Sequence, residues 1–77
     1  MIDVIIYTPE RVLFKGSAPS VIFPGEQGVF EVLPYHKPLV TRLVTGIIVA
    51  GEQEFPIRCG IVGINRNKAT VVVEEPA

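Results

Sequence analysis

Pro24-Gly25-Glu26-Gln27-Gly28-Val29-Phe30-Glu31-Val32-Leu33-Pro34-Tyr35-His36-Lys37-Pro38-Leu39-Val40 is the stretch that decides the fold. Gly25 and Gly28 bracket Glu26-Gln27, which reads as a tight turn whose backbone needs positive φ. From Gly28 the residues alternate, with Gly28, Phe30 and Val32 on one face and Val29, Glu31 and Leu33 on the other. That period of two belongs to a half-buried strand. Pro34 cannot donate to a ladder and Pro38 pushes Lys37 out of the helical region, so the strand ends there. Alternation buries only one of Val29 and Phe30, and the other must face outward or a partner.

Outward from this segment the rest of the chain has the same texture. Ile2 to Tyr7 is β-branched and apolar apart from Asp3, and Thr8-Pro9-Glu10 turns it back. Arg11 to Lys15 reads as a second strand closed by Gly16, and Ser17 to Phe23 as a third whose Pro19 confines it to an edge or a bulge. Leu39 to Leu43, Gly46 to Ala50, Glu54 to Cys59, Gly60 to Asn65 and Lys68 to Glu74 follow as strands. Val44-Thr45, Gly51-Glu52-Gln53 and Arg66-Asn67 separate them as bends and turns. Glycines and prolines interrupt every window in which a helical period of 3.6 could run. Short strands with turn signals every eight to ten residues make a sandwich or barrel, so the chain is expected to be all-β and a single domain over residues 1–77.

With 77 residues, 48% of them hydrophobic and 19% charged, the chain is apolar for its size. A domain this small removes only about 60% of its unfolded surface from water. Part of the apolar surface is therefore expected to meet a partner. The net charge of −1 provides no basic field for nucleic acid or for an anionic membrane surface. The longest apolar runs are too short to span a bilayer, and Met1-Ile2-Asp3 lacks the basic start of a signal peptide, which points to a cytoplasmic product without membrane insertion. Cys59 is the only cysteine, which excludes an intrachain disulfide and reads as a small buried hydrophobe.

The residues of chemistry are sparse. One histidine and one cysteine cannot make a zinc site, which wants four nitrogen or sulfur ligands. His36 and Cys59 could form a nucleophile–base pair, but no third group is marked to orient them. Glu74-Glu75 reads as a solvated tail, and no glycine-rich loop precedes a helix to cradle phosphate. No catalytic residue, metal or cofactor is expected.

Thr8-Pro9-Glu10, Leu13-Phe14-Lys15-Gly16, Val21 to Val40, Gly46-Ile47-Ile48 and Asn67 to Val73 together resemble the N-terminal domain of the ATP synthase epsilon subunit. The most specific part is Pro-Gly-x-x-Gly followed by x-Val-Leu-Pro-x-His-x-Pro-Leu, and the resemblance covers nearly the whole chain in order. It implies a flattened sandwich of about ten strands in two sheets. It also implies a non-catalytic rotor subunit that joins the gamma subunit of the central stalk to the c ring, and through gamma serves the alpha/beta catalytic hexamer. The place implied is peripheral, on the cytoplasmic side of the bacterial inner membrane. The resemblance assigns c-ring contact to Glu26, Gln27, Gly28, Val29, Phe30 and Glu31, and gamma contact to Thr8, His36 and Thr41.

The sequence departs from the family in three places. The helical hairpin that often follows the sandwich is not expected here, so neither inhibition by that arm nor an ATP site within it carries over. The usual Gly-Gly-Phe with a following acidic residue is replaced by Cys59-Gly60-Ile61 and Gly63, where Ile61 is expected to fill the apolar position. A frequent acidic residue after the second turn glycine is replaced by Val29, which shifts ring contact toward apolar packing with Glu26 and Glu31 supplying charge. Three other readings stand beside this one. They are a lipoyl or biotinyl carrier with Lys68 on a hairpin tip, an RNA clamp at Gly25-Glu26-Gln27-Gly28, and an unrelated β-sandwich adaptor.

Overall fold

A computed structural model describes residues 1–76. Nine strands form in chain order: β1 (Ile2–Tyr7), β2 (Val12–Ala18), β3 (Val21–Gly25), β4 (Gly28–Val32), β5 (Leu39–Leu43), β6 (Gly46–Ala50), β7 (Gln53–Ile57), β8 (Cys59–Asn65) and β9 (Lys68–Glu74). The described residues contain no helix. The all-β expectation holds, with nine strands where about ten were expected.

Hydrogen bonding runs β2-β1-β9-β8-β5 and then β3-β6-β7, with β4 on the free side of β3. The step from β5 to β3 rests on a single pair, Gly25 opposite Leu43, beside Val44 N–H donating to the Pro24 carbonyl at 2.9 Å. The nine strands therefore form two layers, β2-β1-β9-β8-β5 and β4-β3-β6-β7, hinged along one corner. At the far side the two outer strands β2 and β7 are joined by side chains, with the Phe14 and Phe55 rings edge to face at 5.6 Å. All pairings are antiparallel except β1 with β9, which brings the first and last strands side by side.

Alternation fills the space between the layers. Val4 and Ile6 of β1, Val62 and Ile64 of β8, and Val71 and Val73 of β9 are buried together with Phe23, Val32, Ile48 and Ile57. Phe23 is the largest fully buried side chain.

Several sequence expectations shift by a few residues for local reasons. Gly16 does not close the second strand, because it pairs with Val4 within the ladder and β2 runs on to Ala18. The turn falls at Pro19-Ser20 instead. Cys59 opens β8 rather than ending the strand before it, since it lies opposite Glu74.

Of the two turn glycines in the 24–40 segment, only Gly28 has positive φ, at 119°. Gly25 is required for a different reason. A Cβ there would stand 2.8 Å from Phe30 Cε1 and 2.9 Å from the Gly28 carbonyl oxygen, so the hairpin can close only over a bare α-carbon.

The β8–β9 connection is a two-residue hairpin turn with φ of 50° at Arg66 and 60° at Asn67. Positive φ at both central residues suits asparagine and glycine and disfavours arginine. Arg66→Asn is accordingly expected to stabilise the domain by about 1 kcal/mol, raising the midpoint of thermal unfolding by about 4–8 °C. A calorimetric scan with an unchanged or lowered midpoint would contradict the left-handed geometry at Arg66.

Candidate functional site

The β3–β4 hairpin carries the segment assigned to the c ring. Its register places Phe23 opposite Phe30 and Pro24 opposite Val29. Phe30 turns inward, half-buried, with its ring 5.5 Å from that of Phe23. Val29 turns outward and is 75% exposed. Glu26, Gln27, Gly28 and Glu31 are exposed around it. The hairpin tip is thus an apolar residue in a collar of two carboxylates and an amide, supported from below by an aromatic pair.

A notch of ≈ 320 Å³ opens between the inner face of this hairpin and β5, with Leu39 and Thr41 on its far wall. Thr41 thus lies beside the hairpin as well as on the strand that leads away from the His36 loop.

Thr8 is only 6% exposed. Its hydroxyl oxygen accepts hydrogen bonds from the Arg11 N–H at 3.1 Å and the Glu10 N–H at 3.2 Å. The Thr8 N–H donates in turn to the Arg11 carbonyl at 2.8 Å. These bonds satisfy backbone groups that β1 and β2 leave unpaired where the chain reverses. The hydroxyl is used inside the turn, so Thr8 shapes the surface next to it.

His36 is exposed in the β4–β5 loop. Its Nδ1 lies 2.7 Å from the Lys37 carbonyl oxygen, which can only accept, so Nδ1 carries the proton and Nε2 is left open to a partner. The preceding Tyr35 has φ of 63° and is 83% exposed. His36 and Cys59 are not brought together. Leu39, just beyond the loop, pairs with Ile64 at the other end of β8, and five residues of strand separate Ile64 from Cys59 by about 17 Å.

Cys59 is half-buried rather than buried, because its thiol donates to Glu74 Oε2 at 3.1 Å. That bond is the main reason its pKa is raised, and the same bond, with Arg58 beside it, lowers that of Glu74. The sulfur is thereby held as a thiol and not as a nucleophilic thiolate. Glu74 and Glu75 are not a merely solvated pair, since Glu74 bonds to Arg58 and Glu75 to Arg11. Lys68 opens β9 opposite Asn65 and beside Asp3. The hairpin tip is Arg66-Asn67, so Lys68 does not have the position of a carrier lysine. The loop read as an RNA clamp has no helix on either side.

Sequence reasoning missed the outer face of the β1-β9-β8-β5 layer. Arg42, Ile61, Val72 and Tyr7 form one row across it, and Val40, Gly63, Thr70 and Ile5 the next. Ile61 is 50% exposed in that row, so it does not fill an interior position. Val40 is 77% exposed. A groove of ≈ 590 Å³ runs over the first row, with Pro9 at one end and Glu26 of the hairpin at the other. The signal was present in the sequence. Ile61 and Val72 are out of phase with the buried Val62 and Val71, which is the mark of a strand apolar on both faces.

Residues 1–76 match the family described as ATP synthase, delta/epsilon chain, beta-sandwich domain. The ATP synthase epsilon chain of a Nitratiruptor species is 43% identical over 77 residues, covering 90% of this chain and 57% of that relative. The ATP synthase epsilon chain of Chlorobaculum tepidum is 37% identical over 75 residues, covering 91% of this chain and 85% of its own length. The chain thus spans a little over half of the first relative. Among solved structures, a chain of the Euglena gracilis mitochondrial ATP synthase containing OSCP, F1 and the c-ring superposes with a TM-score of 0.87. The two are 17% identical, and the match covers 96% of this chain and 51% of that one. At that identity the likeness is one of fold.

Proposed function

The chain belongs to the delta/epsilon β-sandwich family of ATP synthase, and from that membership we propose that it is a non-catalytic rotor piece clamped between the gamma subunit and the c ring. The observation that carries this reading is the pair of exposed apolar surfaces that meet at Glu26. One is the hairpin tip at Val29, and the other is the outer face of Val40, Ile61 and Val72. A small domain with one core does not need either surface for its own folding, and two patches suit a body held by two partners.

The hairpin tip, from Glu26 to Glu31, is assigned to the polar loops of the ring. Val29 makes the apolar contact, and Glu26 and Glu31 set register against basic side chains. Phe30 contributes from below by holding the hairpin upright. The outer face with the His36 loop is assigned to gamma, and Thr8 and Thr41 support its two ends. Each patch can be smaller than a free-standing interface of about 1,600 Å², because attachment at one raises the effective concentration at the other. The domain acts on the alpha/beta hexamer only through gamma. It sits peripherally at the membrane, on the cytoplasmic side of a bacterial inner membrane, as one domain throughout its length.

The test is an affinity titration of gamma with wild-type and His36→Ala chains. Losing one rim hydrogen bond at Nε2 is expected to weaken binding about fivefold, or ~1 kcal/mol. Equal affinities would remove His36 from the gamma surface.

A further inference from the structure

Asn67 makes three connections from one turn position. Its Oδ1 accepts the Tyr35 N–H at 2.9 Å. Its Nδ2 donates to the Met1 carbonyl at 2.8 Å. Its own carbonyl accepts the Asp3 N–H at 3.1 Å. The first of these reaches across 32 residues to a loop that no strand ladder controls, since β4 ends at Val32 and β5 begins at Leu39.

The bonded residue, Tyr35, has φ of 63°, a conformation that a tyrosine does not adopt without something holding it there. Its side chain is 83% exposed and supplies no packing that could do so. The Tyr35 amide is held instead by its bond to the Asn67 side chain. Asn67 is left-handed too, at 60°, a conformation that asparagine tolerates, and from it the carboxamide bonds Tyr35 and Met1 at once.

We infer that Asn67 is the positioning residue of the His36 loop, locking Tyr35 in its left-handed conformation so that His36 meets a protein partner already in its bound shape. Pre-shaping of this kind raises affinity by removing an ordering cost that a free loop would meet on binding. The inference rests on the reading of that loop as part of the gamma surface.

Asn67→Gly keeps the turn, since glycine accepts positive φ, and deletes both side-chain bonds. Asn67→Asp keeps the acceptor for the Tyr35 N–H and loses the donor to Met1. Amide hydrogen exchange at Tyr35 and the ring ¹⁵N shifts of His36 are read on the full chain, and gamma affinity is titrated alongside. Asn67→Gly is expected to speed Tyr35 exchange at least tenfold, move the His36 shifts and weaken gamma binding several-fold. Asn67→Asp is expected to restore both the protection and the affinity.

Unchanged Tyr35 exchange in Asn67→Gly would overturn the inference. So would lost protection with full gamma affinity. A parallel His36→Ala titration separates the two kinds of failure. If His36→Ala weakens binding while Asn67→Gly does not, positioning alone is wrong. If neither does, the loop is not the gamma surface.

Discussion

Val29→Asp is expected to cut retention of the chain on the c ring by tenfold or more while leaving the domain folded. Val29 is 75% exposed and points away from the core, so the substitution disturbs no internal packing. Covering a valine side chain at an interface is worth about 1.5–3 kcal/mol, which is a factor of roughly ten to a hundred and fifty in affinity. A carboxylate placed there would also be stripped of water beside Glu26 and Glu31, adding like-charge repulsion to desolvation. Phe30 is not an equivalent target, because its ring packs on Phe23 and a charge there would loosen the hairpin itself. Quantitative recovery of the chain on purified c ring stripped of gamma decides the matter, with thermal unfolding as the control. Normal recovery of a folded Val29→Asp chain would exclude the hairpin tip from the ring contact.

Phe23→Ala is the substitution with the largest expected cost to stability, about 3–5 kcal/mol. The ring is fully buried on β3 of the β4-β3-β6-β7 layer, and truncation leaves a void against Phe30 on one side and the aliphatic core on the other. A domain of 77 residues has about 4–12 kcal/mol in total, so this change removes a large share and brings the protein near its unfolding midpoint. Urea denaturation measures the loss directly. A decrease below about 1 kcal/mol would show that the core is not organised around this ring.

The two effects separate function from fold in one hairpin. Val29 and Phe30 are neighbours in sequence, yet one faces outward and the other rests on the core. That division was legible in the sequence, because a strand alternates with a strict period and Phe30 shares its phase with Val32. The turns at Gly28, Gly51 and Arg66-Asn67 were legible for a similar reason, as their residue types carry the backbone angles.

What could not be read was long-range. The bond from Asn67 to Tyr35 joins residues 32 positions apart and has no periodic trace. The thiol of Cys59 meets Glu74 because β8 and β9 pair in a particular register, and composition does not encode register. The Thr8 hydroxyl closes its own turn, a use the sequence does not distinguish from a place at a partner surface, since both call for the same residue type. The role of Gly25 was equally hidden. Sequence marks the glycine but not whether φ or close approach requires it.

Rigidity is the physical content of the proposed role. Torque passes between a shaft and a ring only if the piece between them does not shear. Two layers packed around Phe23 and hinged at Gly25–Leu43 form a body of low compressibility. The loops at its ends are stiffened by side-chain bonds, Thr8 within one turn and Asn67 between two others.

The most direct test places a photoreactive amino acid at position 29 in one chain and at position 36 in another, each assembled in native membranes and irradiated. The account predicts that position 29 attaches to a loop of the c subunit and position 36 to gamma. Attachment of both positions to the same partner, or of neither to ring or gamma, would contradict it.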